Sequence, residues 1–311
     1  MNRREFLGGF MFSAGAVALG GCRSQGLASG ACDGTTTVFI SDVHVHADSY
    51  QLERFRRVVD EILRMSPLPK NVVCFGDIAY LRGPVEDYRA SRPEFQRLVD
   101  AGIRLTFGMG NHDRRANFLE VWSEYRERLL MKDFIVSEVD LGACDLVMLD
   151  TLHEPDNPDA EKRGWITDGQ FKEKRFAWVK AEMARRTRPF FLAAHHPINE
   201  ITDGDWKALK DLIMETKLCV GWIHGHDHAW KHCLLGHSKR SWGDSTFKRS
   251  LCLPSTGHWG DIGYVVAQSS DHALRLDYHA LDHYFPNPDA RNAMDDDLLA
   301  EKRGAFMTFR Y

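Results

Sequence analysis

Asn71-Val72-Val73-Cys74-Phe75-Gly76-Asp77 is an apolar run too short for a helix, closed by a glycine and a carboxylate. It predicts a buried strand that delivers Asp77 at its carboxyl end. The same pattern recurs along the chain. Residues 37–40 run into Asp42-Val43-His44, and 103–107 into Gly110-Asn111-His112-Asp113. Residues 190–194 run into His195-His196-Pro197, and 218–223 into Gly225-His226-Asp227-His228. Strands are also predicted at 134–139 and 146–149, and helices at 52–65, 93–101 (with Pro93 in the first turn), 116–130, 169–186 and 205–216. After His228 the pattern turns to β-runs at 233–235, 250–253, 264–267 and 273–279. Strands alternating with helices predict an α/β fold, and the β-rich end a second sheet. The expected architecture is a four-layer α/β/β/α sandwich: two mixed sheets flanked by helices, with the ligand crevice at the carboxyl ends of the strands.

Length and composition suit one large domain or two small ones with a packed soluble core. The chain has 311 residues, 43% hydrophobic and 27% charged, with a formal net charge of -4. No basic excess points to nucleic acid, and none is expected as a partner. The seven cysteines form no CxxC pair, which argues against a cysteine zinc site; Cys74, Cys144 and Cys219 lie in apolar runs as core residues. Of 15 histidines, five fall between His224 and His237, a density that points to metal or acid–base chemistry.

Residues 1–34 are expected to be an address rather than fold. Arg3-Arg4-Glu5-Phe6-Leu7 before a short apolar stretch resembles a bacterial twin-arginine signal, which implies the twin-arginine export machinery as a partner. Leu19-Gly20-Gly21-Cys22 resembles a lipoprotein processing site, with Cys22 as lipid anchor and a Gly/Ser-rich tether to residue 34; simple cleavage to a free periplasmic product is the alternative. The body then spans 35–285, and 286–311 is a polar tail with one short surface helix expected.

The strand-end clusters supply carboxylates, one amide and imidazoles, a donor set suited to Mn, Fe, Zn or Co. The alternation in Asp42-x-His44 and His226-x-His228 points both members of each pair the same way from an extended strand end. Glycines at 76, 110 and 225 allow tight turns and close backbone approach.

Asp-x-His, Gly-Asp, Gly-Asn-His-Asp, His-x-Pro and Gly-His-x-His, in this order after strands, resemble the calcineurin-like metallophosphoesterase superfamily over residues 35–279. The resemblance implies two metal ions. Asp42, His44 and His228 would hold one, Asn111, His195 and His226 the other, with Asp77 bridging; His195 is preferred to His196 because the family's ligand lies two places before the proline. It implies hydrolysis of a small phosphate ester by hydroxide generated between the metals, with His112 giving a proton to the leaving oxygen. Gly76-Asp77-Ile78-Ala79-Tyr80 is similar to the purple acid phosphatase signature, but His44 stands where those enzymes have glycine. Tyr80 is therefore expected to support or pack rather than ligate. An aspartate orients the catalytic histidine from this position in many cyclic-nucleotide phosphodiesterases, and tyrosine leaves that orienting group undefined. Asp113 and His196 are expected beside the ligands, His224 buried, and His46 on an exposed loop. Trp165, His237, Trp242, His258 and Trp259 are expected to be ordinary surface or core residues, with pocket lining as the alternative, and the basic residues from Lys239-Arg240 to Lys248-Arg249 to be solvated. A phosphodiester is the expected substrate, on the likeness to the cyclic-nucleotide and glycerophosphodiester branch. A phosphomonoesterase of the purple acid phosphatase type is the alternative, and a non-catalytic binding lipoprotein the reading of another class, which the intact ligand set disfavours.

Overall fold

The apolar runs form strands whose alternate residues enter two different cores. In β1 (Thr36–Ile40) and β2 (Asn71–Cys74), Val38, Ile40, Val72 and Cys74 face helices, while Phe39 and Val73 face a second sheet. A strand buried on both faces must be apolar throughout, which is why these runs show no polar alternation. The computed structural model describes residues 35–154, 166–202, 205–236, 248–284 and 302–311. The expected export signal, Cys22, Trp165, His237, Trp242 and residues 239–247 lie outside them.

The described residues form two six-stranded mixed sheets. The first has the order β12-β11-β10-β1-β2-β3, adding β3 (Arg104–Phe107), β10 (Gly260–Ser270), β11 (Ala273–Tyr284) and β12 (Phe306–Arg310); β1, β2 and β3 are parallel. The second has the order β4-β5-β6-β7-β9-β8, from β4 (Ser137–Asp140), β5 (Asp145–Met148), β6 (Phe190–Ala193), β7 (Cys219–His224), β8 (Lys231–Gly236) and β9 (Lys248–Cys252). Here β5, β6, β7 and β9 are parallel. The sheets face each other across Phe39, Val73 and Phe75 on one side and Leu146, Phe191 and Ile223 on the other.

Helices cover the outer faces, completing the expected four layers. Helix α1 (Tyr50–Leu63) starts where the Ser49 hydroxyl accepts the Leu52 N–H, a cap worth ~1 kcal/mol. It lays Phe55, Val58, Val59 and Ile62 on the first sheet beside α2 (Val85–Asp100) and α3 (Arg115–Val121). Helices α4 (Glu173–Ala184) and α5 (Asp205–Glu215) cover the second sheet through Val179, Met183, Leu209 and Ile213. Among the described residues no helix is long and apolar enough to cross a membrane.

Several element limits differ from the sequence reading. Pro93 lies inside α2, not in a first turn; the helix continues through it because Tyr88, Phe95 and Leu98 pack one buried face. The helix expected at 116–130 stops at Val121 and tightens into a 3-10 turn, Ser123–Arg128, where Tyr125 is buried and its hydroxyl accepts the Phe107 N–H at 2.9 Å. Helix α4 starts at Glu173, not 169, because Gly169 bonds the Glu200 carbonyl and Gln170 the Thr151 carbonyl, holding the chain extended. Lys248 is buried rather than solvated: its Nζ donates to the carbonyls of Ile213 and Thr216 at the end of α5. Cys74, Cys144 and Cys219 are buried as expected. The last segment of the tail is edge strand β12, with Met307 and Phe309 buried.

Candidate metal centre

Parallel strands in both sheets end on the same side, so the polar clusters converge. Asp42 and His44 follow β1, Asp77 follows β2, and Asn111 follows β3; His195 follows β6, and His226 and His228 follow β7. The loops are tied across the sheets: the His226 N–H donates to the Asp42 carboxylate at 3.1 Å, and the Thr256 N–H to the Ser41 carbonyl at 2.7 Å.

Seven side chains face one another here. Asp42 Oδ1 lies 3.1 Å from His228 Nε2, 3.8 Å from His44 Nε2 and 4.0 Å from His195 Nε2. Asp77 Oδ2 lies 3.2 Å from His195 Nε2 and 3.5 Å from His44 Nε2, between the two halves of the cluster. His226 Nδ1 stands 3.2 Å from His195 Nε2 and 3.1 Å from Asn111 Oδ1. Asp42, His44 and His228 form one trio that could hold a metal ion, and Asp42, Asp77 and His195 another.

The electrostatics fit a cation. Burial alone would raise the carboxyls of Asp42 and Asp77, yet the imidazoles of His228 and His195 respectively hold them well below the ordinary range, so both stay deprotonated. Burial would lower His195, but Asp77 and then Asp42 push it up to about 9. The negative field that favours a proton on His195 equally favours a metal ion. The His44 and His228 Nε2 atoms, 3.3 Å apart, converge on Asp42 Oδ1, and a cation between them relieves the crowding of lone pairs.

The calcineurin-like phosphoesterase model matches residues 35–230. The chain belongs to the calcineurin-like phosphoesterase family. That family is one of metal-dependent hydrolases of phosphoric esters. Among solved structures, the fold is similar to that of a dimetal phosphatase from Danio rerio, at 15% identity and a TM-score of 0.61, over 80% of this chain and 97% of that one. It is also similar to GAP50, the anchor in the inner membrane complex of Plasmodium, at 11% identity and a TM-score of 0.51, over 86% and 93% of the two chains. Among curated proteins, sequence comparison finds no match.

The backbone of this phosphoesterase site departs from the extended strand ends expected of it. Asp42, His44, Asp77, His226 and His228 all have φ between 50° and 74°. A left-handed residue that is not glycine costs of order 1–3 kcal/mol and persists only where its surroundings fix it. Asp42 shows how. Its N–H donates to the Gly76 carbonyl, its own carbonyl accepts from Ser255 Oγ and Gly257 N, and its carboxylate accepts from His226. The paired side chains converge through this kinked geometry, not through strand alternation.

His112 stands beside the cluster, its N–H donating to Asp77 Oδ1 at 2.8 Å. Its Nδ1 lies 2.5 Å from the Tyr80 carbonyl oxygen, so the ring donates there and presents Nε2 to the site. A backbone carbonyl thus does what an aspartate side chain at position 80 would do. Burial lowers the His112 pKa, with Asp77 opposing and the His44 charge adding to the fall. The Tyr80 ring itself packs against His46 and His258, at centroid distances of 4.6 and 5.6 Å. His46 is accordingly half-buried, not on an exposed loop. Asp113 lies behind Asp77, accepting from Ile78 N, Gly110 N and Tyr88 Oη; burial, then the Asp77 charge, push its carboxyl up to about 7.

Of the His195-His196 pair, His195 faces Asp77, and its Nδ1 donates to the Phe75 carbonyl. His196 turns to the Thr151 hydroxyl at 2.8 Å, its ring 5.2 Å from that of His226. His224 is buried as expected. It forms a further cluster with Asp227 and Cys252, whose polar atoms bond to the Gly225 carbonyl, Lys231 and the Leu253 carbonyl.

His258 and Trp259 are not ordinary surface or core residues: the first lies 4.4 Å from the His44 ring and the second 4.3 Å from the His228 ring. Burial, then the charges of His44 and His228, drive His258 down to about 2, keeping it neutral. Glu200, which the sequence reading passed over, reaches His226 Nε2 at 3.1 Å. Its only sequence signal is its place five residues after His195.

Proposed function

We propose that this protein is a binuclear-metal phosphodiesterase. Asp42, His44 and His228 would hold one ion, Asn111, His195 and His226 the other, with Asp77 shared. The observation that carries the proposal is the convergence of all seven donors, with Asp77 Oδ2 within 3.5 Å of imidazoles from both halves. When bound, the ions supply Lewis acidity, acidifying water and drawing charge from the phosphoryl oxygens. The chain's own residues do the rest. His112, its Nδ1–H held by the Tyr80 carbonyl, is placed to give a proton from Nε2 to the leaving oxygen when the ring is in its imidazolium form. His258, Tyr80 and Trp259 form a neutral rim where the alcohol part of the ester rests.

That rim favours a diester over a monoester, whose second charge calls for a cationic side chain. The Arg114 guanidinium, on the loop beside Asn111, donates to the carbonyls of Asn111 and Asp113. The twin-arginine and Leu19-Gly20-Gly21-Cys22 strings support an exported enzyme, periplasmic or anchored through Cys22.

Elemental analysis of the purified protein, with matched aryl diester and monoester substrates and added Mn²⁺, tests the proposal. About two metals per chain and faster diester turnover support it. Folded protein that takes up no metal defeats the metal reading, and faster monoester turnover defeats the diester assignment.

A further inference from the structure

The imidazoles of the cluster are held from behind in different ways. His195 Nδ1 donates to a backbone carbonyl, that of Phe75. Among the described residues, the Nδ1 atoms of His44 and His228 are buried without a hydrogen-bond partner. Among the described residues, His226 alone of the four meets a carboxylate at the nitrogen turned away from the cluster: Glu200 Oε2 lies 3.1 Å from Nε2, while Nδ1 faces Asn111 Oδ1 and His195 Nε2 at 3.1 and 3.2 Å.

From this we infer that Glu200 is a positioning residue for the second metal site, fixing the His226 ring so that Nδ1 is its ligating atom. The inference rests on the metal assignment made above. A carboxylate accepting the Nε2 proton selects the tautomer with a lone pair on Nδ1, orients the ring and makes that lone pair more basic. His226 needs this more than the other histidines. Its side chain is 15% exposed, against 0% for His195 and 1% for His44, so packing restrains it least.

Glu200 is itself well anchored. It ends the 3-10 turn Ile198–Glu200 after Pro197, with Ile198 buried in the core over the second sheet. Its carbonyl accepts the Gly169 N–H at 2.9 Å, and its own N–H donates to the Pro197 carbonyl at 3.0 Å. The turn starts three residues after His195, so one segment supplies both a proposed ligand and the support of another.

The test is to dialyse the loaded enzyme against graded free Mn²⁺, measuring bound metal and melting temperature for wild type, Glu200→Ala and Glu200→Gln. Wild type should fill two sites. Glu200→Ala should move one occupancy midpoint to roughly 10–100-fold higher free metal, the usual effect of losing such a partner, with the other midpoint in place and the saturated protein melting as wild type. Glu200→Gln keeps an acceptor oxygen without the charge and should fall between them. If Glu200→Ala fills both sites like wild type, the positioning role is refuted while the metal assignment stands. If it lacks one ion even at saturation, Glu200 is itself a ligand and the positioning role is again refuted. If wild type binds no metal, the metal assignment fails and takes this inference with it.

Discussion

Gly110→Ala tests whether the position of Asp77 governs the site. A Cβ at residue 110 would overlap Asp77 Oδ1, standing 2.6 Å from its Cγ and 2.7 Å from its backbone N. To reach ordinary van der Waals contact at 3.4 Å, the carboxylate carbon must retreat by about 0.8 Å. The backbone N cannot yield easily, because the neighbouring Ile78 N–H is held by Asp113 and the Asp77 carbonyl accepts the His44 N–H. The carboxylate therefore moves, and with it goes the 2.8 Å bond from the His112 N–H. One methyl group thus disturbs the Asp77 carboxylate and the His112 contact, the proposed shared ligand and proposed proton donor, together. A misplacement near 1 Å costs on the order of 10²-fold in rate, and overpacking a tight site costs ~1–3 kcal/mol of stability. Steady-state kinetics at saturating Mn²⁺, with a thermal melt and a crystal structure of the variant, measures both. Turnover within a few-fold of wild type with Asp77 unmoved would refute the reasoning.

Other outcomes follow from the same contacts. His112→Gln should slow turnover about 10²–10⁴-fold at unchanged metal content, and undiminished turnover would remove His112 as proton donor. Asp150→Asn breaks a buried pair, because Asp150 accepts from Arg115 Nε and Nη2, each at 2.7 Å; the expected loss is about 3 kcal/mol, at the low end because Glu154 still holds Arg115. Burial opposes the ionised Asp150, but Arg115 keeps its carboxyl below the usual range. Its contribution is therefore full above the unfolded value of about 3.9 and fades as pH falls through the lower folded value. Denaturant melts of both proteins should differ fully at neutral pH and converge in strong acid; a constant gap would contradict this. Arg3→Lys with Arg4→Lys should strand the protein in the cytoplasm, and normal export of that variant in a fractionation assay would refute the twin-arginine route.

Much of the candidate site could be read from the chain because each proposed donor lies within a few residues of a strand end, and strand ends are marked by short apolar runs. Asp77 after residues 71–75 is the plainest case. His258 was harder. It follows β9 without a flanking motif, and it reaches His44 only because Ser255 and Gly257 bond the Asp42 carbonyl. Glu200 carries no pattern of its own, since its role depends on which way the His226 ring turns. Tyr80 misleads in a different way: its side chain is what a sequence displays, but its backbone carbonyl holds His112.

The sequence by itself determined the layered fold and the order of the donor clusters, because apolar period and strand length are local properties that survive in one dimension. Only the tertiary structure decided which nitrogen of each imidazole faces the cluster, why five donor residues are left-handed, and which rings form the rim. Those features depend on hydrogen bonds between segments as far apart as Asp42 and His226, and no local pattern encodes such partners.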